Sequence, residues 1–590
     1  MRPRRRPHAA RCLLLLAAAA SATSATASGR EALSLDGGGW TLTLDPGNPA
    51  TARLRAAGRK TNGPITVPGA WEAQGFGEET TQMEHQYIGA AVYARTVALP
   101  AGFGGGPGAT VWLVAERIQR AAKVTAGSGP AVVVGEHIGY LSPLELDVTK
   151  AIGKDRALAL AIEVNATRRL NVDGLQGEED LETDGTGLGG WGGIGGHVRL
   201  EARGPGWIVA PHVQHELASP GLGSAVVNVS IEVGGHEASG TGFKLRVSYR
   251  DPANQPVAGH GGPAVITADC PDLGLYCSVP SIRIPDPQLW SPRTPQQYSA
   301  TIELVGASGA VLDAQLIKFG LRKLELIGYH WKLNGVWLYL HGYGDDSIYP
   351  MSTSPPLNFS FYEERLEFSH GLGMNFVRHH SHILPIEYFD AACEVGVMIS
   401  AEFPIAYGKP RSCVHGGCDP LYKHEWISII KQIRNHPCVF DYTMDNEDIG
   451  LDIAADLYKT AKQLDPSRLV NTADGVWPDP GTCCPYTDFQ SHGFALNTIP
   501  ILDPHQFAVA STPKSPVIDH EMGNFVSWPL LEDQISRFHH TIKPYWLTPP
   551  LAAVTAHGLL AENALWSARS NRLFLYCWKD KLEVRRLHAL

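Results

Sequence analysis

Along the first half of the chain, apolar and polar positions alternate with a period of two, in short runs broken by glycine and proline. Ala91 to Val97, Thr110 to Val114 and Leu158 to Val164 are the clearest runs between about Trp40 and Arg203. Such alternation puts every second side chain on one face of a sheet, and the stretch predicts a β-sandwich of jelly-roll type over residues 30–205. The rhythm continues from Trp207 to Gly320, with Val226–Val233 and Lys244–Tyr249 as its best strands. Its length suits a smaller, immunoglobulin-like β-sandwich over residues 206–323.

Beyond Leu324 the period changes. Strand-like runs at Trp337–Leu340, Asn375–Val377, Val397–Ser400, Val439–Tyr442, Arg468–Val470 and Pro516–Ile518, with an apparent sixth strand just before His492, now stand among helical patterns. The helical patterns are Phe361–Leu372, Pro385–Val395, His424–Asn435 and Ile453–Leu464. Repeated β-α units of this length predict a parallel sheet, most simply a (β/α)8 TIM barrel over residues 324–590. Seven strands can be counted. After Glu521 come a long insertion and a helical run, Glu562–Arg572, with no recognisable strand eight. The expectation is therefore a barrel incomplete at its C-terminus, with two unpaired edges.

Length and composition agree with a multidomain globular protein. At 590 residues the chain exceeds one ordinary core and suits about three or four domains. Its 62 glycines and 42 prolines favour turn-rich β structure. The first residues read as a processing signal. Arg2, Arg4, Arg5, Arg6 and Arg11 precede an apolar run, Leu13–Ala20, and Ala25-Thr-Ala27 offers a small-residue cleavage site. A membrane anchor needs about 20 apolar residues, and Ser21, Thr23 and Ser24 interrupt this one. A signal peptide over residues 1–27 is expected, with a secreted or lumenal destination (extracellular, or vacuole or lysosome). Removing five arginines takes the formal charge from −10 to −15, which leaves no electrostatic footprint for nucleic acid. No later stretch is long and apolar enough for a membrane.

An oxidising compartment would let Cys270 pair with Cys277 and Cys413 with Cys418. Cys413 to Cys418, which encloses His415, could instead suggest metal, but no second ligand pair completes such a site. Cys483 and Cys484 are adjacent and poorly placed to pair with each other. No metal and no cofactor are expected, and a homo-oligomer is compatible with the composition.

Two strand ends carry candidate chemistry. Tyr442-Thr-Met-Asp-Asn446-Glu447 and Ile518-Asp-His-Glu521 each deliver a glutamate to the rim that such a sheet forms at the C-terminal ends of its strands. Cleaving a glycosidic bond needs one protonated carboxyl group to donate to the leaving oxygen. A second, ionised one attacks the anomeric carbon or activates water. Burial and neighbouring charge can push two identical groups to these opposite states. A lone glutamate at a strand end is ordinarily a salt-bridge residue; two, on the fourth and seventh strands, are harder to dismiss.

The chain here resembles glycoside hydrolase family 2, the family of β-galactosidases, β-glucuronidases and β-mannosidases. Val67-Pro-Gly-Ala-Trp71 and Gly139-Tyr-Leu-Ser-Pro143 resemble its sugar-binding jelly roll. Leu289-Trp-Ser-Pro-Arg-Thr-Pro295 and Phe319-Gly-Leu-Arg-Lys323 resemble its immunoglobulin-like domain and the exit from it. Leu333-Asn-Gly335 with Leu340-His-Gly342, Asn375-Phe-Val-Arg378 with His380-Ser-His382, and Arg434-Asn-His-Pro437 resemble its barrel. The likeness covers roughly residues 35–590. It implies a retaining β-glycosidase acting on a terminal β-linked sugar of a polysaccharide or glycoconjugate. Glu447 would be the acid/base and Glu521 the nucleophile, with carboxyls about 5–5.5 Å apart. Asn446 would bind the sugar 2-hydroxyl, and Arg378 would hydrogen-bond the nucleophile and keep it ionised.

Other rim residues carry weaker expectations. Asp345 and Asp346 either bind sugar hydroxyls or stabilise a turn. His380 and His382 line the pocket or orient polar groups, and a metal there lacks a carboxylate partner at set spacing. Glu402 is expected to support the rim. His492 falls where the family places an aromatic or histidine near the nucleophile, and Trp528 either stacks on a sugar or packs ordinarily. The rival to the hydrolase is a catalytically inactive, truncated carbohydrate-binding or scaffold protein. Both glutamates would persist in it around an unclosed pocket.

Overall fold

The computed structural model describes residues 30–128, 131–167, 191–218, 221–235, 242–257, 265–270, 276–328, 330–404, 419–446, 451–474, 486–492, 516–519, 528–544, 547–570 and 572. The protein is multidomain and mostly sheet, with three large hydrophobic cores.

The first core lies between two antiparallel sheets. One, of six strands, has Ala157–Asn165 between Ala90–Ala98 and Ala121–Gly127; the other, of four, has Val198–Arg203 beside Thr110–Ala115. The alternation in Ala157–Asn165 becomes burial directly, since Leu158, Leu160, Ile162 and Val164 are all at most 2% exposed. Trp40 fills the same core and donates its Nε1–H to the Leu35 carbonyl at 2.8 Å, which satisfies the one polar atom its indole brings inside.

The second core is enclosed by Gly206–Leu217 and Ser224–Gly235 on one side and Lys244–Arg250, Tyr298–Val305 and Val311–Phe319 on the other. Cys270 and Cys277 form a disulfide. It ties the residue after strand Val265–Asp269 to strand Tyr276–Ser278 of the opposite sheet.

The third core surrounds a parallel sheet of five strands in sequential order. These are β1 (Gly342–Asp345), β2 (Phe376–His379), β3 (Met398–Glu402), β4 (Val439–Thr443) and β5 (Leu469–Asn471). Helices α1 (Phe359–Gly371), α2 (Ile386–Val395), α3 (Asp419–Ile433) and α4 (Leu451–Leu464) make the crossovers. A further parallel pair follows, β6 (Gln490–His492) beside β7 (Val517–Asp519). Asn358 caps α1, its Oδ1 accepting from Phe361 N at 3.1 Å, and Gly396 ends α2 in the left-handed conformation at φ +94°. A Cβ on Gly396 would also meet the Pro292 carbonyl oxygen at 2.5 Å.

One strand differs from expectation. Val336–Leu338 belongs to an antiparallel meander with Leu324–Ile327 and His330–Leu333, and the first parallel strand starts later, at Gly342. The Asn334-Gly335 turn explains this: both residues have positive φ, +54° and +77°, as a tight hairpin requires. Val336 and Trp337 are left exposed on the meander.

A second disulfide joins Cys393 in α2 to Cys438, the residue before β4. It escaped the sequence reading because 45 residues separate the two and neither has a cysteine neighbour. Cys413, Cys418, Cys483 and Cys484 lie outside the described residues.

The sandwiches are seated on the parallel sheet's helices by buried and part-buried polar contacts. Arg434 donates to the Ala210 carbonyl at 2.5 Å, while Asn435 donates to Pro211 O and accepts from Val213 N, both at 2.9 Å. These contacts pin the bulge where strand Gly206–Leu217 slips register between Val209 and His212. The Arg434-Asn-His-Pro437 motif is thus a docking device. Glu425 on α3, 2% exposed, accepts from the backbone N–H groups of Tyr140, Leu141 and Ser142 at 2.8–3.2 Å. Gly139 must be glycine there, since a Cβ would fall 2.6 Å from the Glu425 carboxylate.

Candidate active site

The C-terminal ends of β2 to β5 converge on one arginine. Arg378 lies on β2 with its side chain 5% exposed, and it donates from Nε and Nη2 to the two carboxylate oxygens of Glu402 at 2.8 and 3.1 Å. Glu402 is the last residue of β3 and fully buried. The same Nη2 donates to Asn446 Oδ1 at 2.8 Å, and Nε also contacts the carboxylate of Asp474, beyond β5. Asn446 and Asp474 form a parallel bridge, with Asp474 N donating to the Asp445 carbonyl at 2.8 Å. Ser381 closes the cluster, its N–H donating to Glu402 Oε1 at 2.8 Å.

Electrostatically this is an acid-rich cluster around the Arg378 guanidinium. Burial pushes the Glu402 carboxyl up to about 8; Arg378 opposes the rise and Asp474 adds to it. Asp441 on β4 is also fully buried. Burial raises it to about 7 although the hydroxyls of Thr443 and Ser400 donate to it at 2.7 and 3.1 Å. Carboxyls shifted upward by burial are a common ingredient of acid–base chemistry on a sugar.

The expected residues fall as follows. Glu447 and Glu521 lie outside the described residues. Glu447 directly follows buried Asn446 at the β4 end, and Glu521 comes two residues after the end of β7. Asn446 and Arg378 are brought together, and Glu402 supports Arg378. Asp345 ends β1, where its Oδ1 accepts from Ser347 N at 2.8 Å, so it does stabilise a turn. It also lies 3.8 Å from His382 Nε2, while Asp346 lies 3.6 Å from His380 Nδ1. His382 is buried, and its Nδ1 sits 2.8 Å from the His380 carbonyl, to which it donates. His492 ends β6, and its side chain is outside the described set. Trp528 is 37% exposed and packs edge-on against Trp566 with ring centroids 6.1 Å apart. Asp474 and Asp441 were missed. Asp474 follows the strand-like Arg468-Leu-Val470 in Asn471-Thr-Ala-Asp474, so the strand-end rule that found Glu447 would also have flagged it.

Among the described residues, no group of three or more histidines, cysteines or acids is arranged to hold a metal ion, and no helix is long and apolar enough to cross a membrane.

Residues 208–322, the second sandwich, match the family described as glycosyl hydrolases family 2. That sandwich is what the chain shares with the family. A β-galactosidase from Vibrio cholerae serotype O1 is 28% identical to the chain over 202 residues, 33% of this chain and 19% of that protein. The chain spans about a fifth of the length of the curated relatives it matches. Two solved structures share the fold. The FMN-binding β-glucuronidase from Facaelibacterium prausnitzii L2-6 superposes with a TM-score of 0.64 at 22% identity, covering 79% of this chain and 67% of that one. The Bifidobacterium dentium β-glucuronidase gives 0.62 at 21% identity, covering 79% and 78%.

Proposed function

We propose that this chain is a retaining β-glycosidase of glycosyl hydrolase family 2. It would remove a terminal β-linked galactose or glucuronic acid from a polysaccharide or glycoconjugate outside the cell or in a lumenal compartment. The observation that carries the reading is the Arg378–Asn446 contact at the mouth of β2 and β4. It presents a buried amide immediately before Glu447, where a sugar 2-hydroxyl would be held. In this reading Glu447 protonates the leaving oxygen and then activates water, and Glu521 forms the covalent glycosyl-enzyme. The two named sugars are the substrates in the names of the similar proteins. The five sequential strands and the β6–β7 pair support a barrel of (β/α)8 type as the frame.

Purified chain should release 4-nitrophenol from the 4-nitrophenyl β-galactoside or β-glucuronide. Glu521→Ala should abolish turnover, and azide should restore part of it as a glycosyl azide. Hydrolysis that survives Glu521→Ala, or a product of inverted configuration, would overturn the assignment. So would failure to turn over any aryl β-glycoside.

A further inference from the structure

Arg30 lies just ahead of the edge strand Glu31–Ser34 of the first sandwich, and its side chain crosses into the second. Nη2 donates to Asp313 Oδ2 at 2.7 Å and to the Ile208 carbonyl at 2.9 Å, while Nη1 lies 3.7 Å from Glu201 Oε2 in the first sandwich. Asp313, in strand Val311–Phe319, is fully buried. Its Oδ2 also accepts from Ile208 N at 2.7 Å and its Oδ1 from Ala314 N at 2.9 Å. Among the described residues no second cation comes within ion-pair distance of it. Taking away the cation of such a pair strands the carboxylate's charge in low dielectric.

The pair stands at a hinge. Two residues, Gly204 and Pro205, separate strand Val198–Arg203 of the first sandwich from strand Gly206–Leu217 of the second. Arg30 spans that hinge: its neighbour Glu31 pairs with Ala202 on one side, and its guanidinium reaches Ile208 on the other. The strand that follows Arg30 is weakly held in itself, being four residues at a sheet edge with Glu31, Ala32 and Ser34 exposed. Terminal segments of this kind fray unless something ties them down. Trp112 and Trp207 also meet across the hinge, ring centroids 5.7 Å apart, so the sandwiches keep an apolar contact without the arginine.

We propose that Arg30 is a latch on this hinge, set by N-terminal processing. A chain cut on the N-terminal side of Arg30 holds the two sandwiches at one angle through Asp313, and a chain trimmed past it does not. The inference goes beyond the glycosidase reading, and none of its measurements needs a substrate. From the expected leader it takes only the cut after Ala27, which leaves Arg30 third in the mature chain.

Amide hydrogen exchange on the purified chain tests the latch, because the N–H groups of Ile208 and Ala314 both end on Asp313. Arg30→Gln should speed exchange at both by about tenfold or more, as the loss of a charge-assisted hydrogen bond implies. In an Asp313→Asn background no buried charge is left to neutralise, and the same substitution should change either rate by less than about threefold. A double variant that folds where Arg30→Gln alone does not would support the latch as well. Equal effects of Arg30→Gln in both backgrounds, no effect in either, or a double variant that fails to fold would overturn it. Sequencing the N-terminus of the exported protein is the second arm: a mature chain that starts at Glu31 or later would sink the latch. Export without cleavage would count against the leader alone, and the exchange result would then decide.

Discussion

His197 reaches from the first sandwich to Glu387 in the first turn of α2, its Nε2 3.0 Å from Oε1, while its Nδ1 lies 2.6 Å from Asp36. One imidazole therefore joins two acids from different domains. The hydrogen bond to Asp36, and then that to Glu387, raises His197 to about 10. Since its folded value exceeds the unfolded 6.5, the contribution is complete below about pH 6.5 and is lost as pH rises through about 10. His197→Ala should lower stability at pH 6 by about 0.5–1 kcal/mol, because the ring is 38% exposed and screened. The deficit should shrink above about pH 10, as read from urea midpoints across pH.

Glu72 poses the opposite case. It is buried in the first sandwich, with no basic partner in hydrogen-bond reach among the described residues; Gly192 N donates to its oxygens at 3.2 Å, and burial raises it to about 8. A raised acid favours folding below its unfolded value of 4.5, and that advantage is lost as pH rises toward 8. Glu72→Gln, nearly isosteric with the protonated form, should match wild type near pH 4.5 and become the more stable of the two by pH 8. A variant curve parallel to wild type across that range would refute this.

The Cys393–Cys438 bridge closes a 45-residue loop that spans β3 and α3. Replacing both cysteines with alanine should cost about 2–4 kcal/mol, chiefly through the freedom returned to the unfolded chain. Reductant should lower the wild-type melting temperature and, at most, act on the variant through other cysteines.

Arg378→Lys keeps one positive charge but removes the fork that grips both Glu402 oxygens and Asn446. Catalytic efficiency on an aryl β-glycoside should fall by about 10²–10³-fold, since a misplaced positioning group costs that much. The fall should lie mainly in kcat, with the far-ultraviolet circular dichroism unchanged. A KM effect with kcat preserved would argue that Arg378 serves ground-state binding instead.

Much of this was legible along the chain, for reasons of locality. A strand's two faces are set by neighbours two residues away, so Leu158 to Val164 and Val227 to Val233 could be read as strands before any partner was known. The helices α1, α2 and α4 were found within two residues of their ends. Glu447 stood out because a strand-to-loop change marks the sheet's rim, and the family resemblance singled out Asn446 beside it. The meander at Trp337 was misread as the first parallel strand because an apolar run of four residues fits either sheet. Only the turn at Asn334-Gly335 and its hydrogen-bonding partners decide between them.

What the sequence by itself determined is the order of elements and, apart from the run at Trp337, the type of sheet each would join, since those follow from periodicity and turn chemistry within a few residues. It also determined the family resemblance and the pair of glutamates worth naming. Tertiary structure alone decided which distant groups meet: Cys393 with Cys438, Asn435 with the bulge at Pro211, and Asp474 with Glu402 across Arg378. Those contacts depend on how strands many residues apart are aligned in one sheet and how domains seat on it. No local pattern of side chains encodes that alignment, because it is set by the burial of all three cores at once.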